Sequence, residues 1–475
     1  MPYPTSPLFT DLYQLTMMQG YFREGMHERW ACFDLFFRTL PFGGGFALTA
    51  GLADALAFLH DLAFSPPEIG YLRSLGLFDE PFLTYLGDFR FGGTVHAVPE
   101  GTPAFPYEPL LRVEGGLAEC QLVETSLLNT INFQTLIATK AARVCRAAGD
   151  GAVFDFGMRR AQGRDGALSA SRAAFIGGCS GSSNVEAGRH FGIPVRGTHA
   201  HSWIMAFPDE LAAFRAYVRH YPDGAILLVD TYHTMESGIP NAITVAHEME
   251  TAGHKLIGVR LDSGDLANLA KQTRAMLDAA GLHYVKIVAS SDLDEHRITA
   301  LRKAGAPIDL WGVGTRLVTA HDDPALSGVY KLACLTDRRG VLRPVHKESD
   351  TPEKATLPGI KQVWRVADSE ARLLGDYVEM AEHEPRLNAP LEVFDRRTLK
   401  PGDTWSTTSA RPLLELVFRD GEALETAPPL ADIRARAKEE IAGLPLEVQE
   451  SHPTSAYQVA LGKHLVALLH STRKG

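Results

Sequence analysis

From about residue 150 onward the chain repeats one pattern: a short apolar run, a cluster of small or polar residues, then helical periodicity. The runs are AVFDFG, PVRGTHAHS, AILLVDTYHT, KLIGVRLDSGD, VKIVASSDLD and DLWGVGT. Continuous apolar strands are buried on both faces, so the repeat predicts a parallel sheet clothed by helices, an α/β fold. In a (β/α) barrel the chemistry gathers in the loops that follow the strands, where each of these polar clusters stands. An open doubly wound sheet would give the same local pattern, but no GxGxxG opens the first unit, which favours an irregular TIM-like barrel. One helix is expected from Asp265 to Ala280, with Leu266, Leu269, Ala270, Thr273, Met276 and Leu277 on one stripe, Ser263 available as its cap and Gly281 as its end. Ser291 is expected to precede a second helix reaching about Ala304.

Before residue 150 the pattern is different. WACFDLFF and the alternating TVHAVPEGTPAF read as short strands, mixed with helices near residues 8–22, 50–62 and 120–147, which makes an α+β arrangement. The segment RRGVLRPVHKESDTPEKATLPGIKQ reads as a long surface loop within residues 336–362, and the last 60 or so residues carry amphipathic helical periodicity. We therefore divide the chain into an N-terminal α+β domain (1–148), a barrel (149–400) and a C-terminal segment (401–475) that packs back on the N-terminal domain.

Charge narrows the possible partners. Lys and Arg number 47 against 57 Asp and Glu, a net −10 that repels nucleic acid and anionic membranes, so an anionic substrate must meet locally placed basic groups. The start of the chain has no basic region followed by an apolar stretch, and its most apolar segment, 46–59, is too short to span a bilayer. A cytoplasmic protein is expected. Five scattered cysteines with no CxxC spacing argue against a disulfide framework or a thiolate metal site.

The strand-end clusters hold the candidate chemistry. In GVRLDSGDL, Arg260 and Asp262 share a strand face by the two-residue period; the guanidinium suits phosphate oxygens, and the carboxylate suits ribose hydroxyls or Mg²⁺. An internal Arg–Asp pair beside a helix cap is the plain alternative. Gly312, Gly314 and Thr315 in DLWGVGT would let a phosphate approach the backbone, although glycines after a strand more often mark an ordinary turn. Arg159 and Arg160 follow a strand in FDFGMRRAQG, and GCSGSSN adds hydroxyls, as a small anion would require; a solvated basic loop fits equally. Tyr13 lies on a helical stripe, as core or as a ring-stacking surface. RGTHAHSW sets His199 and His201 two residues apart. They would serve as paired metal ligands of a barrel hydrolase, with His233 as a further candidate, or as a single catalytic imidazole.

At TDLYQLTMMQGYF, LVETSLLNTINFQTLIATKAAR, DFGMRRAQGRDGALSASRAAFIGG, FGIPVRGTHAHSW, GVRLDSGDL, GVGTRLVT and LPGIKQVWR, in order from residue 10 to about 365, the chain resembles nicotinate phosphoribosyltransferases. The resemblance implies an irregular α/β barrel beside an α+β domain built from both chain ends, assembled as a homodimer. It implies coupling of nicotinate with phosphoribosyl pyrophosphate and Mg²⁺ to give nicotinate mononucleotide and pyrophosphate, helped by ATP hydrolysis through a phosphohistidine. By position, His201 matches the phosphorylated histidine, with Ser202 beside it. Thr198 with Arg159 or Arg160 matches the pyridine-acid contacts, and Tyr13 the ring-stacking aromatic contributed across the dimer. Arg260, Asp262, Asp230 and Ser291 match the substrate site, and Gly314 with Thr315 the 5′-phosphate loop.

The acid is preferred over the amide on electrostatic grounds. Related nicotinamide enzymes carry an Asp where this chain has Ser183, and Ser182 and Asn184 are uncharged too. Another pyridine phosphoribosyltransferase, using nicotinamide or quinolinate, and a barrel kept as a binding protein are the remaining alternatives. If Thr198 and His201 both face one pocket, their segment must bend out of any strand, because residues three apart alternate faces.

Overall fold

A computed structural model describes residues 6–347, 355–424, 427–450 and 453–472. The chain divides into two compact units, Met1–Thr139 with Ala325–Gly475, and Lys140–Pro324. The sequence reading places its divisions at 148/149 and 400/401; the compact units change at 139/140, inside the helix Glu124–Ala148, and at 324/325.

The first unit is mixed α/β. Its seven-stranded sheet runs Leu342–Pro344, Gly328–Thr336, Trp30–Phe37, Leu111–Gly116, Thr94–Ala97, Glu415–Arg419, Glu422–Ala423, antiparallel at every step. Both ends of the chain thus contribute strands to one sheet. Trp30–Phe37 is nearly all buried, including Asp34, whose charge is met by Lys361 Nζ at 2.7 Å. A five-stranded sheet takes Leu373–Met380 and Lys361–Ala367 near its centre, and the helix Lys463–Thr472 packs Leu465, Val466 and Leu469 against Val363, Val378 and Leu461. The segment read as one surface loop begins instead as a hairpin. Asp337 accepts from the amides of Arg339 and Val341, Gly340 takes φ +77°, and Leu342–Pro344 returns along Gly328–Thr336. Part of that segment, 348–354, lies outside the described residues.

The second unit holds a six-stranded sheet, parallel throughout, in the order Gly181–Ser182, Ala152–Asp155, Leu310–Val313, Lys286–Ala289, Gly258–Leu261, Ile226–Leu228. Its strands carry apolar side chains on both faces, and Leu227, Val259, Leu261, Ile287, Val288 and Val313 are all buried. The last strand of the series, Leu310–Val313, pairs with the first, Ala152–Asp155, while the ladder is open between Gly181–Ser182 and Ile226–Leu228.

Five of the six apolar runs form strands. The sixth, PVRGTHAHS, does not: Val195 makes a single parallel bridge to Ser182, with Arg196 N donating to the Ser182 carbonyl at 2.9 Å, and residues 197–200 then leave the sheet before the helix His201–Met205 begins. Pro194 has no N–H to extend the ladder ahead of that bridge, and beyond it the Thr198 and His201 side chains turn to the same cluster, as the expected bend requires. The helix predicted from Asp265 runs Leu266–Ala279 with Leu266, Ala270, Thr273 and Leu277 buried, but its cap is Asp265, which accepts from Asn268 N, rather than Ser263. Ser291 does precede the next helix, Glu295–Lys303, whose cap is Asp294, accepting from Arg297 N.

Candidate active site

Register brings the candidates together. Leu228, Arg260 and Val288 are partners across three adjacent parallel strands, so the residues two places on, Asp230, Asp262 and Ser290, emerge side by side at the strands' C-terminal ends. Neighbouring strands add Asp155, Ser182 and the Gly314 loop at the same edge.

Arg260 is the hub. Its Nε donates to Ser290 Oγ, its Nη1 to Thr198 Oγ1 and its Nη2 to Asp262 Oδ1, each at 2.8 Å. Ser290 Oγ also donates to Asp262 Oδ1. The guanidinium lies 5.9 Å from the Phe156 ring centroid, and that ring has room because residue 312 is glycine: a Cβ there would sit 2.6 Å from a ring carbon. Burial pushes the Asp262 carboxyl up, but the charge of Arg260 and the hydrogen bonds from Ser290 and Arg260 outweigh it and hold the group below the usual carboxylate range. Asp230 Oδ2 accepts from Asp262 N at 2.8 Å and from Ser263 Oγ at 2.7 Å, so the hydroxyl predicted as a helix cap is engaged by a carboxylate of the site instead.

The two histidines have different roles. His201 is half-exposed, with Nδ1 3.1 Å from Thr231 Oγ1 and Nε2 3.7 Å from Asp262 Oδ2. His199 is buried; its Nε2 accepts from Leu228 N at 3.2 Å, and its ring meets Tyr217 edge-on at 4.6 Å. Burial brings its pKa down to about 4, so it stays neutral and braces the adjacent strand. With that lone pair spent on a backbone amide, the HxH spacing does not present two metal ligands. Nor do His199 and His201 enter the one possible metal grouping among the described residues, Glu295, His296 and Asp322.

The remaining candidates are each placed on their own elements. Arg159 and Arg160 are exposed on the turn Met158–Arg160, which packs against the short helix Thr315–Val318; neither guanidinium is paired with another described residue. Gly314 precedes that helix and Thr315 opens it. Ser202 is exposed on the first turn of His201–Met205. Ser291 lies beyond Ser290 with φ +91° and offers its carbonyl to Arg297. Tyr13 is exposed on the helix Leu12–Arg23 of the first unit.

Family models described as nicotinate phosphoribosyltransferase (NAPRTase) N-terminal domain, NAPRTase family and NAPRTase C-terminal domain match residues 8–132, 152–377 and 360–469. The nicotinate phosphoribosyltransferase of Bacillus subtilis is 43% identical over 459 residues, covering 96% of this chain and 93% of that protein. The chain belongs to the nicotinate phosphoribosyltransferase family. The human nicotinate phosphoribosyltransferase is 36% identical over 527 residues, covering 99% of this chain and 97% of its own, and a human crystal structure superposes with a TM-score of 0.86 at 34% identity, covering 97% and 99%. A Pyrococcus furiosus nicotinate-nucleotide pyrophosphorylase shares the fold, with a TM-score of 0.71 at 24% identity over 93% of this chain and 96% of that one.

Within this nicotinate phosphoribosyltransferase family member, the segment compared for acid against amide has one uncommitted side chain. Ser182 Oγ donates to Asp155 Oδ2 at 2.7 Å, and Asn184 Nδ2 donates to the Ala167 carbonyl and Ser171 Oγ, whereas the Ser183 hydroxyl bonds no other described residue. Ser290, Phe156 and Thr231 are members of the cluster that the sequence reading does not single out. Register would have found Ser290, since it stands level with Asp262, but its neighbour Ser291 carries the same residue type and hides it.

Proposed function

We propose that this chain joins nicotinate to 5-phosphoribosyl 1-pyrophosphate, releasing nicotinate mononucleotide and pyrophosphate, with ATP hydrolysis coupled through phosphorylation of His201. The observation that carries the reading is the convergence of Arg260, Asp262, Ser290, Thr198 and His201 at one strand-end edge of a chain from this family.

Departure of pyrophosphate builds positive charge on the anomeric carbon, as in glycoside cleavage. The Asp262 carboxylate, kept ionised beside Arg260, is the group to stabilise that charge or hold ribose hydroxyls. Arg260 and the unpaired Arg159 and Arg160 supply the basic groups that an acidic chain must place locally for phosphates and a pyridine carboxylate. Gly314 and Thr315, at the start of a short helix after a strand, fit a 5′-phosphate. Alignment of the pyridine nitrogen with the anomeric carbon makes the transfer effectively unimolecular and needs no protein nucleophile.

The donor set also suits Mg²⁺. Asp230 Oδ1 is buried without a hydrogen-bond partner, and Asp262 turns Oδ1 to Arg260 and Ser290 while Oδ2 faces elsewhere. These two carboxylates, with substrate phosphates, would hold the ion, which would offset charge on the leaving pyrophosphate. His201, half-exposed and steadied by Thr231, is the acceptor for the γ-phosphoryl group of ATP; the phosphorylated ring then loses its phosphate to water.

Pairing of the last strand with the first and the Ser182–Val195 bridge support reading the parallel sheet as the wall of an irregular (β/α) barrel. Exposed Phe9, Leu12, Tyr13 and Met17 support a homodimer in which Tyr13 of one chain completes the site of the other. No described helix is long and apolar enough to cross a membrane.

The test gives purified protein phosphoribosyl pyrophosphate, Mg²⁺ and ATP with equimolar nicotinate, nicotinamide and quinolinate, and identifies products by mass spectrometry. Nicotinate mononucleotide with ADP is expected; a nucleotide from nicotinamide instead, or none from any of the three, would refute the reading. In His201→Ala, ADP release should fall to background while slower nucleotide formation persists. Ser183→Asp should weaken nicotinate use about 10- to 100-fold through repulsion of its carboxylate, read as kcat/KM, and an unchanged value would remove Ser183 from the pocket.

A further inference from the structure

Ser290 is held in place by a turn that ordinary residues avoid. Directly after it, Ser291 and Asp292 take φ +91° and +42°, in the left-handed region where a side chain crowds its own backbone. Such a conformation persists only when its surroundings over-determine it, and the structure shows what does so. Arg297, in the first turn of the following helix, donates Nη1 to the Ser291 carbonyl at 3.0 Å. The same residue's backbone N–H is capped by Asp294 Oδ1 at 2.7 Å. Asp294 Oδ2 accepts from Arg316 Nη1 at 3.0 Å, and Arg316 directly follows the Gly314–Thr315 pair. Asp294 is buried, so neither bond competes freely with water. Behind the cap, Glu295 is held between Lys140 Nζ at 2.7 Å and Arg143 Nε at 2.8 Å. The strained turn is therefore tied to a rigid helix on one side and to the glycine loop on the other.

We propose that Arg297, with Arg316 acting across Asp294, is a positioning residue of the active site: the two arginines brace the Ser290–Asp292 turn so that the Ser290 hydroxyl is presented to Arg260 and Asp262. The brace acts through the Arg260 Nε–Ser290 and Ser290–Asp262 bonds, and it sets the relation of the Ser290 turn to the Gly314 loop. The chemistry assigned to those groups rests on the proposed phosphoribosyl transfer; the brace itself rests on the geometry alone.

A double-mutant cycle with two readouts tests it. Arg297→Gln should lower kcat about tenfold or more with the nicotinate KM changed less than about twofold, whereas in a Ser290→Ala background the same substitution should cost less than about threefold. Arg297→Lys, which keeps one donor for the Ser291 carbonyl, should recover most of the rate, and Arg316→Gln should follow the pattern of Arg297→Gln. Hydrogen exchange across residues 286–294, read by mass spectrometry on the full chain, should speed up about tenfold in Arg297→Gln. Full additivity of Arg297→Gln with Ser290→Ala, or unchanged exchange across the turn, overturns the brace. If the wild-type protein forms no nucleotide, the reaction is misassigned, and the exchange measurement still decides the positioning role.

Discussion

Arg260→Lys should lower kcat/KM for phosphoribosyl pyrophosphate about a thousandfold while leaving the unfolding transition near its wild-type position. Three bonds leave this guanidinium in three directions, to Ser290, Thr198 and Asp262, and a single ammonium on a shorter reach can keep one of them. A positioned donor aimed at charge that develops in the transition state contributes about 2.7–4 kcal/mol, so losing the fork that faces the phosphoribosyl group and orients Asp262 lowers the rate by up to about a thousandfold. Initial rates at varied donor concentration measure it, and a loss under tenfold would show that Arg260 only trims the loop structure. Arg260→Gln carries a second expectation. With its charge removed, the Asp262 carboxyl, now held below the usual range, moves back up. A rate that needs the carboxylate would then begin to fall at a higher pH than in the wild type, so the acid limb of the profile shifts upward.

The largest effect on stability is expected from Arg365→Met. Arg365 is buried in the first unit and holds Asp376 with two bonds, 3.0 Å from Nε and 2.7 Å from Nη2, while Nη2 also reaches the Pro103 carbonyl at 2.8 Å. Asp376 is fully buried and takes a further bond from the Tyr457 hydroxyl at 3.0 Å; Tyr457 in turn stacks on Phe105 at 3.8 Å. Removing the cation strands a carboxylate in the core, which costs about 3–5 kcal/mol and is measurable by urea unfolding. Replacing Arg365 and Asp376 together by apolar residues should recover part of that loss, because the fully buried carboxylate leaves with its cation while Glu440 keeps Arg411. Glu108 reports on the same cluster through pH. Burial, and then the neighbouring Asp376, raise its carboxyl well above the ordinary value. A raised group contributes stability that is complete below its unfolded pKa and is lost as pH rises towards the folded one. Glu108→Gln should therefore change little near pH 4 and stabilise the protein near pH 8, at about the upper end of the range in which unfolding is compared.

The parts of the fold that follow from local periodicity are readable from residues alone. The apolar runs point to the parallel strands, and the stripe from Leu266 to Leu277 locates its helix within a residue or two, because burial of one face dictates both patterns. The PVRGTHAHS run has strand composition, yet the demand that Thr198 and His201 face one cluster already calls for the bend that takes it out of the sheet. Two features are not readable, each for a distinct reason. The cap of the helix Leu266–Ala279 falls to Asp265 rather than Ser263, since two capping residue types stand within reach of that helix start. His199 and His201 look equivalent in sequence, and only the Leu228 amide separates a structural imidazole from an available one. The site's hub is visible as a pair, Arg260 with Asp262, but its third member needs the register of two strands that sequence does not supply.

The first unit's sheet also imposes a timetable on synthesis. The strand Trp30–Phe37 is central and almost wholly buried, and one of its two neighbours is Gly328–Thr336, with Phe37 opposite Gly328. A ribosome adding roughly 5–20 residues per second needs on the order of 15–60 s to deliver the residues that separate those partners. Throughout that interval an aromatic strand, WACFDLFF, stands without the neighbour that will cover its edge, while the parallel-sheet unit is made and folds in the gap. Truncated chains that stop before residue 328 should therefore aggregate more readily than the full chain, the cellular cost expected of a sheet whose halves are made so far apart in time.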